Sequence, residues 1–261
     1  MHSNCLDNHI LSSIRNKYLD ARNRLFLLDY DGTLIPIAKL PESAVLNEKT
    51  KAILNNIISD KRNRIAIISG RKKEFIEEQF KDIDAILIAE HGYFIKYQGT
   101  DWVITIEIDR SWKKKIIPVL NEYTAKCSGS MVEDKHASIA WHYRNAEEKM
   151  AGLLKNELKG ELTRILENIA GLYILESDKV LEVKSILYNK GTAASELISK
   201  GNYDFILALG DDITDEDLFK VIPGFGFTLK VGCKPTDALF IVKDQSQVIE
   251  ILKLLTGPPI A

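Results

Sequence analysis

In the stretch LFLLDYDGTL, residues 25–34, four apolar residues run into two carboxylates, Asp29 and Asp31, followed at once by Gly32 and Thr33. A buried strand gains nothing from an unpaired charge. A solvated turn accounts for one acid and the glycine, but not for the second acid. Two acids at the mouth of an apolar strand point to a hard cation, or to a reaction that needs a nucleophile and a proton donor. Two more apolar runs end in the same way. Ser69, Gly70 and Arg71 follow IAII (65–68), and Asp211, Asp212 and Asp215 follow FILALG (205–210). A helix cap or turn explains any one of these; all three together predict a shared rim.

The elements that must hold this rim alternate along the chain. LFLL is followed by an amphipathic stretch around Lys49 to Ser59, then IAII, KKEFIEEQF and AILIA (85–89). Later come KGTAASELISKG, FILALG, DEDLFKVI, FTLKV (227–231) and a last helix near Gln247 to Leu255. Continuous apolar strands alternating with helices predict an α/β fold, a Rossmann-like doubly wound parallel sheet covered on both faces. Ligands of such sheets bind beyond the carboxyl ends of the strands. The middle of the chain reads differently. GYFIKYQGTDWVITI is expected to form a hairpin turning at Gln98–Asp101. After it, a basic helical stretch, Trp112 to Ala125, precedes MVEDKHASIAWHYR, read as one alternating, half-exposed strand. A charged helix, Ala146 to Ala170, and two short strands, LYIL and KVLEV, complete the segment. Residues 110–184 are therefore expected to be an inserted α+β cap of αββα type, with 1–109 and 185–261 forming the core.

The chain has 261 residues, 45% hydrophobic and 28% charged, with a formal net charge of −2. That balance gives no signal for nucleic acid or an anionic membrane as partner. No apolar run approaches the ~20 residues of a membrane-spanning helix. Cys5, Cys127 and Cys233 lie far apart with no CxxC pair, so a disulfide framework or zinc site is not expected. The start lacks the basic-then-apolar order of a signal peptide, and the expected location is the cytoplasm.

If the three strand ends converge, they suit phosphoryl transfer. Asp29 can attack phosphorus and carry a transient acyl phosphate. Asp31 can protonate the leaving alkoxide and then deprotonate the hydrolytic water, since crowded carboxylates push one another's pKa values apart. The Thr33 hydroxyl, Ser69 and Lys190 (in NKG, before a helix) suit the phosphoryl oxygens. A carboxylate cluster repels a phosphate dianion unless a cation intervenes. Mg²⁺ fits the oxygen-rich set of Asp29, the Asp31 carbonyl and Asp211, with Asp215 beside them one helical turn later.

DYDGTL, SGR (69–71), NKG (189–191) and GDDITDED (210–217) resemble the four ordered motifs of the haloacid dehalogenase superfamily of phosphohydrolases. RLFLLDYDGTLIPIAK, AEHG (89–92), VEDKHASIAWHYRNAE (132–147), DKVLEVK (178–184) and LGDDITDEDLF (209–219) are similar to the trehalose-6-phosphate phosphatase family, and the resemblance runs from about Leu25 to Leu255. It implies a C2B-type cap, with Asp29 as nucleophile and Asp31 as acid/base. It also implies Mg²⁺ on Asp29, Asp31 and Asp211, with Asp215 close by, and phosphate on Ser69, Gly70, Arg71 and Lys190. In the cap, Glu133, Lys135, Arg144, Lys179 and Glu182 are implied to meet sugar hydroxyls of trehalose 6-phosphate. On alternation alone, Glu133 and Lys135 share a face, Arg144 falls on the opposite one, and Lys179 is out of phase with Glu182. Where many relatives carry Arg-Pro, this chain has Lys184-Ser185. The resemblance further implies a synthase domain or partner, the chain being free-standing or a fragment of a larger protein. Two rival readings stay open: a phosphatase of another sugar phosphate, and a non-catalytic phosphosugar-binding module.

Overall fold

The computed structural model describes residues 4–38, 40 and 43–257. The chain divides into two compact units, Met1–Thr105 with Asn189–Ala261, and the insertion Ile106–Tyr188. The first unit runs β1 (Asn4–Cys5), α1 (Asn8–Asp20), β2 (Arg24–Asp29), α2 (Glu48–Ser59), β3 (Asn63–Ile68), α3 (Lys73–Phe80), β4 (Ile86–Ala89), β5 (Phe94–Lys96) and β6 (Val103–Ile104). The insertion contributes α4 (Lys113–Lys126), β7 (Met131–Asp134), β8 (Ser138–His142), α5 (Glu148–Leu166), β9 (Leu172–Ser177) and β10 (Val180–Ser185). The first unit then resumes with α6 (Lys190–Lys200), β11 (Phe205–Gly210), α7 (Thr214–Val221), β12 (Phe227–Val231), β13 (Phe240–Val242) and α8 (Gln245–Thr256).

The nine-stranded sheet has the order β1-β13-β12-β11-β2-β3-β4-β5-β6. It is parallel as far as β4, and the expected hairpin adds β5 and β6 as an antiparallel edge. Alternate residues of each central strand feed opposite layers. Phe26, Leu28, Ile65, Ile67, Leu207 and Leu209 pack toward α1, α2, α3 and α8, whereas Leu25, Leu27, Ala66, Ile68, Ile206 and Ala208 pack toward α6 and α7. Burying each of the LFLL side chains is worth about 1.5–3 kcal/mol, which holds the charged tip of β2 in place. The one-residue spacing of the two acids follows from the same alternation. Tyr30 points into the first layer, where its hydroxyl donates to the Ala44 carbonyl at 2.6 Å and its ring meets Phe75 and Phe80 edge-on.

From β2 the chain steps one way to β3 and β4, and after the insertion it steps the other way from β11 to β12 and β13. That reversal is the switch point at which open parallel sheets bind ligands. Asp29 pairs in register with Ile68 on one side, and Leu28 with Leu209 on the other. The three polar strand ends therefore adjoin.

The insertion is a four-stranded antiparallel sheet, β7-β8-β10-β9, with α4 and α5 on one face. Trp141 and Tyr143 stack in its core, ring centroids 5.0 Å apart. MVEDKHASIAWHYR is not one strand but two, β7 and β8, closed by a two-residue loop at His136-Ala137 with Lys135 N–H donating to the Ser138 carbonyl. The insertion is accordingly αββαββ rather than αββα. It is also four residues longer at each end than the expected 110–184. At its exit β10 runs to Ser185, the Tyr188 hydroxyl donates to the Ala137 carbonyl, and the Tyr188 ring lies 4.4 Å from the Lys184 ammonium. In place of proline rigidity, the Ser185 hydroxyl accepts the Leu187 N–H at 3.2 Å.

Candidate active site

Asp29 closes β2 and is buried, as are Lys190 at the first position of α6 and Asp215 in the first turn of α7. The Asn189/Thr192 capping box starts α6 at this point, so Lys190 projects from a fixed turn. Its ammonium donates to Asp29 Oδ1 at 2.5 Å and to Asp215 Oδ1 at 2.8 Å. The other Asp215 oxygen accepts the Asp211 and Asp212 N–H groups, each at 3.0 Å. The Thr33 hydroxyl, expected on phosphate, donates to Asp29 Oδ2 at 3.2 Å.

Ligand oxygens of Asp29, Asp211 and Asp215 lie within 4.8 Å of one another, a span of the order that a small hard cation bridges. Three carboxylates face one ammonium, an excess of negative charge that bears on Asp29 and Asp211. Burial lifts Asp29 well above its ordinary pKa; Lys190 pulls it down while Asp215 and Asp211 push it up. Burial, then the Asp215 charge, raises Asp211 to about 7. Burial alone depresses the Lys190 ammonium, but Asp215 and Asp29 outweigh it and hold its pKa above the ordinary value. A buried set of hard oxygens with surplus negative charge fits Mg²⁺.

Gly32 makes room for this cluster. Its φ is +77°, and a Cβ there lies 2.2 Å from Asp211 Oδ2. Gly32→Ala is expected to displace Asp211 and to raise the dissociation constant for Mg²⁺ about 10- to 100-fold. The left-handed backbone adds about 1–2 kcal/mol of destabilisation. Calorimetric titration with Mg²⁺ and a melting curve check both; an unchanged affinity removes Gly32 from this role.

Asp31 stands apart from the acid cluster. Arg71 grips its carboxylate with two bonds, 2.6 Å from Nη2 and 2.8 Å from Nε. The Asp31 side chain is thus outside the set of candidate metal ligands, and Arg71, expected on phosphate, is engaged with the expected acid/base. The Ser69 hydroxyl accepts the Arg71 N–H at 3.2 Å. Gly70 lies against His91, where a Cβ falls 2.4 Å from the ring.

In the inserted unit, the hairpin reverses the alternation assumed for a single strand. Glu133, Ala140 and Glu182 form one row across β7, β8 and β10. Glu133, Lys135 and Glu182 come together there, with Lys135 Nζ 3.1 Å from Glu182 Oε1 and 4.0 Å from Glu133 Oε2. Ser138 donates a short bond to Glu182 Oε1. His142 lies 2.9 Å from Glu133 Oε2. Burial pushes Glu133 up, but His142 and Lys135 outweigh it and hold its carboxyl at about 2. Arg144 has the parity of Glu133 after the turn, not the opposite one, yet β8 ends at His142 and Arg144 binds the Asp178 carbonyl and carboxylate. Lys179 occupies the β9–β10 turn at φ +63° and pairs with Glu148 at 2.9 Å. Neither joins the Glu133–Lys135–Glu182 cluster.

Sequence reasoning missed Lys230, a buried ammonium donating to the Asp212 carbonyl at 2.7 Å and pairing with Glu216 at 3.1 Å. It steadies the loop that carries Asp211. A charged residue inside the apolar run FTLKV was the available signal.

A family model for trehalose-phosphatase matches residues 27–246. The bifunctional trehalose-6-phosphate synthase/phosphatase of Thermoproteus tenax is 37% identical over 248 residues, covering 95% of this chain and 34% of that protein. The C. albicans trehalose-6-phosphate phosphatase C-terminal domain superposes with a TM-score of 0.91 at 32% identity, covering 98% of both chains. A haloacid dehalogenase-like hydrolase from B. subtilis shares the fold, with a TM-score of 0.60 at 13% identity over 88% of this chain and 98% of that one. The chain spans about a third of the length of the curated relatives it matches.

Proposed function

Since this chain belongs to the trehalose-phosphatase family, we propose that it is a Mg²⁺-dependent phosphomonoesterase that converts trehalose 6-phosphate to trehalose and inorganic phosphate. The observation that carries the reading is the buried Asp29–Lys190–Asp215 chain with Asp211 beside it, next to the Arg71-held Asp31. An Asp29 oxygen forms a bond to phosphorus as the bond from phosphorus to the sugar oxygen breaks; Asp31, carrying a proton once Arg71 turns from it to the phosphoryl oxygens, gives that proton to the sugar oxygen. Asp31 then takes a proton from water, whose oxygen attacks phosphorus and releases Asp29 with inorganic phosphate. Lys190, Ser69, Gly70, Arg71 and Thr33 orient the transferring group and offset its charge. Asp29, Asp211 and the Asp31 carbonyl, with Asp215 in support, would hold Mg²⁺, which would supply the neutralisation that lets a dianion approach carboxylates.

Sugar hydroxyls are assigned to Glu133, Lys135 and Glu182 through charge-assisted hydrogen bonds. Arg144 and Lys179 are assigned a supporting part, since each is already paired elsewhere in the insertion, Arg144 with Asp178 and Lys179 with Glu148. The cytoplasm is the assigned location; among the described residues no helix is long and apolar enough to cross a membrane, and the three cysteines are free. The T. tenax relative carries synthase and phosphatase in one name, which supports a synthase domain or partner here.

A panel of phosphosugars with and without EDTA tests the proposal. Phosphate release is expected only with Mg²⁺, with trehalose 6-phosphate preferred over glucose 6-phosphate by at least about 100-fold in kcat/KM. Comparable turnover of the two defeats the narrow substrate. No release from any of them favours a binding module.

A further inference from the structure

The motif AEHG has no part in the chemistry above, yet its backbone is the most constrained near the site. Glu90, His91 and Gly92 have consecutive positive φ values of 47°, 58° and 108°. Among the described residues only one other non-glycine residue, Lys179, has a positive φ. Histidine tolerates the left-handed region better than most residues and glutamate less well. Such strain persists only where the surroundings over-determine it, commonly at functional sites.

What surrounds this turn is the rest of the site. Glu90 N–H donates to the Arg71 carbonyl and His91 N–H to the Ser69 carbonyl, each at 2.9 Å. The His91 ring lies on Gly70 so closely that a Cβ there falls 2.4 Å from Cε1 and 2.5 Å from Nε2. On the other side, a Cβ on Gly92 falls 2.7 Å from the Asn189 carbonyl and 3.1 Å from Ala193 Cβ, at the start of the helix that carries Lys190. The Gly92 carbonyl accepts the Thr105 hydroxyl at 2.8 Å. Thr105 and Asn189 are the residues at which the chain leaves and re-enters the first unit. One strained turn thus touches the Ser69–Arg71 loop, the N-terminus of α6 and both crossing points of the chain.

We propose that Glu90–His91–Gly92 is a positioning turn that fixes the Ser69–Arg71 loop relative to Lys190 and ties both to the crossings at Thr105 and Asn189, with His91 as its positioning residue. The inference rests on the phosphatase reading, because Arg71 and Lys190 are the charges whose separation matters for a phosphoryl group. Packing alone predicts a different result. A residue that only fills space lowers stability, whereas one that sets this separation lowers the rate and phosphate affinity while leaving Mg²⁺ binding through Asp29 and Asp211 untouched.

The test is His91→Asn, which keeps a residue tolerant of the left-handed backbone and removes the ring from Gly70. It is compared with wild type in kcat, KM, affinity for inorganic phosphate and affinity for Mg²⁺. Expected are a fall in kcat of about 10- to 100-fold, as for a displaced catalytic group, a weaker phosphate complex and an Mg²⁺ affinity within about twofold of wild type. Thr105→Val, which deletes the hydroxyl's bonds to the Gly92 and Tyr93 carbonyls and leaves the His91 ring in place, is expected to act in the same direction by about threefold and serves if His91→Asn does not fold. Unchanged kcat and phosphate affinity in the folded variants overturn the inference, as does an equal loss of phosphate and Mg²⁺ binding. Wild-type turnover tests the phosphatase reading separately, and the phosphate titration needs no turnover.

Discussion

Asp29→Asn is expected to abolish phosphate release, by at least about 10⁴-fold in kcat, while the protein stays folded. An amide at this position fills the same volume: its oxygen can still accept from the Lys190 ammonium in the place of Asp29 Oδ1, while its NH₂ donates to the Thr33 hydroxyl, which lies 3.2 Å from Asp29 Oδ2. It lacks the charge that attacks phosphorus, and no other carboxylate is placed to replace it. Asp215 spends one oxygen on two backbone N–H groups and the other on Lys190, and Asp31 is clamped by Arg71. Neutralising Asp29 also removes the repulsion that Asp215 and Asp211 exert on its buried charge. The melting temperature is therefore expected to hold or rise slightly. Phosphate release, a melting curve and binding of trehalose 6-phosphate to the variant are the measurements. Retained turnover refutes Asp29 as nucleophile; lost folding refutes the reading of the cluster as electrostatically strained.

Much of this site was legible because a parallel sheet turns one-dimensional order into a shared rim. Three apolar runs, each ending in polar residues, give three adjacent strand ends once β2 lies between β3 and β11. The side-chain partners were less legible. Asp31 was expected near the metal and Arg71 on phosphate, but oppositely charged groups that project from neighbouring strand ends pair with each other, here through a two-pronged guanidinium contact. The inserted unit was misread at one point with a large consequence. His136-Ala137 contains neither the glycine nor the asparagine that marks two-residue hairpins, so β7 and β8 read as one strand. Each residue beyond the turn then received the wrong face. That error hid His142, which shares its face with Glu133 and Glu182, and it set Arg144 on the wrong side for the wrong reason.

Lys190→Met is expected to produce a large loss of stability in the first unit. The lysine is buried, and its ammonium separates two buried carboxylates at 2.5 and 2.8 Å. Breaking a buried pair by removing one partner costs about 3–5 kcal/mol, because the charge left behind is uncompensated. That corresponds to a fall of roughly 10 °C in the melting temperature of a unit this size. Methionine matches the length and volume of the lysine stem, so a packing defect adds little. Activity falls as well, by about 10²–10³-fold, through lost stabilisation of the transferring phosphoryl group. The two losses separate in the double variant with Asp215→Asn. The new amide oxygen can still accept the Asp211 and Asp212 N–H groups, and one of the uncompensated charges is deleted. Stability is expected to recover in part and activity not at all, a non-additive outcome that a double-mutant cycle reads directly. Added Mg²⁺ is expected to raise the melting temperature of Lys190→Met more than that of wild type, since the cation then faces three carboxylates with no ammonium among them. If Lys190→Met melts with wild type and shows no larger response to Mg²⁺, the ammonium is not what makes this carboxylate cluster tolerable, and the electrostatic account of the site fails with it.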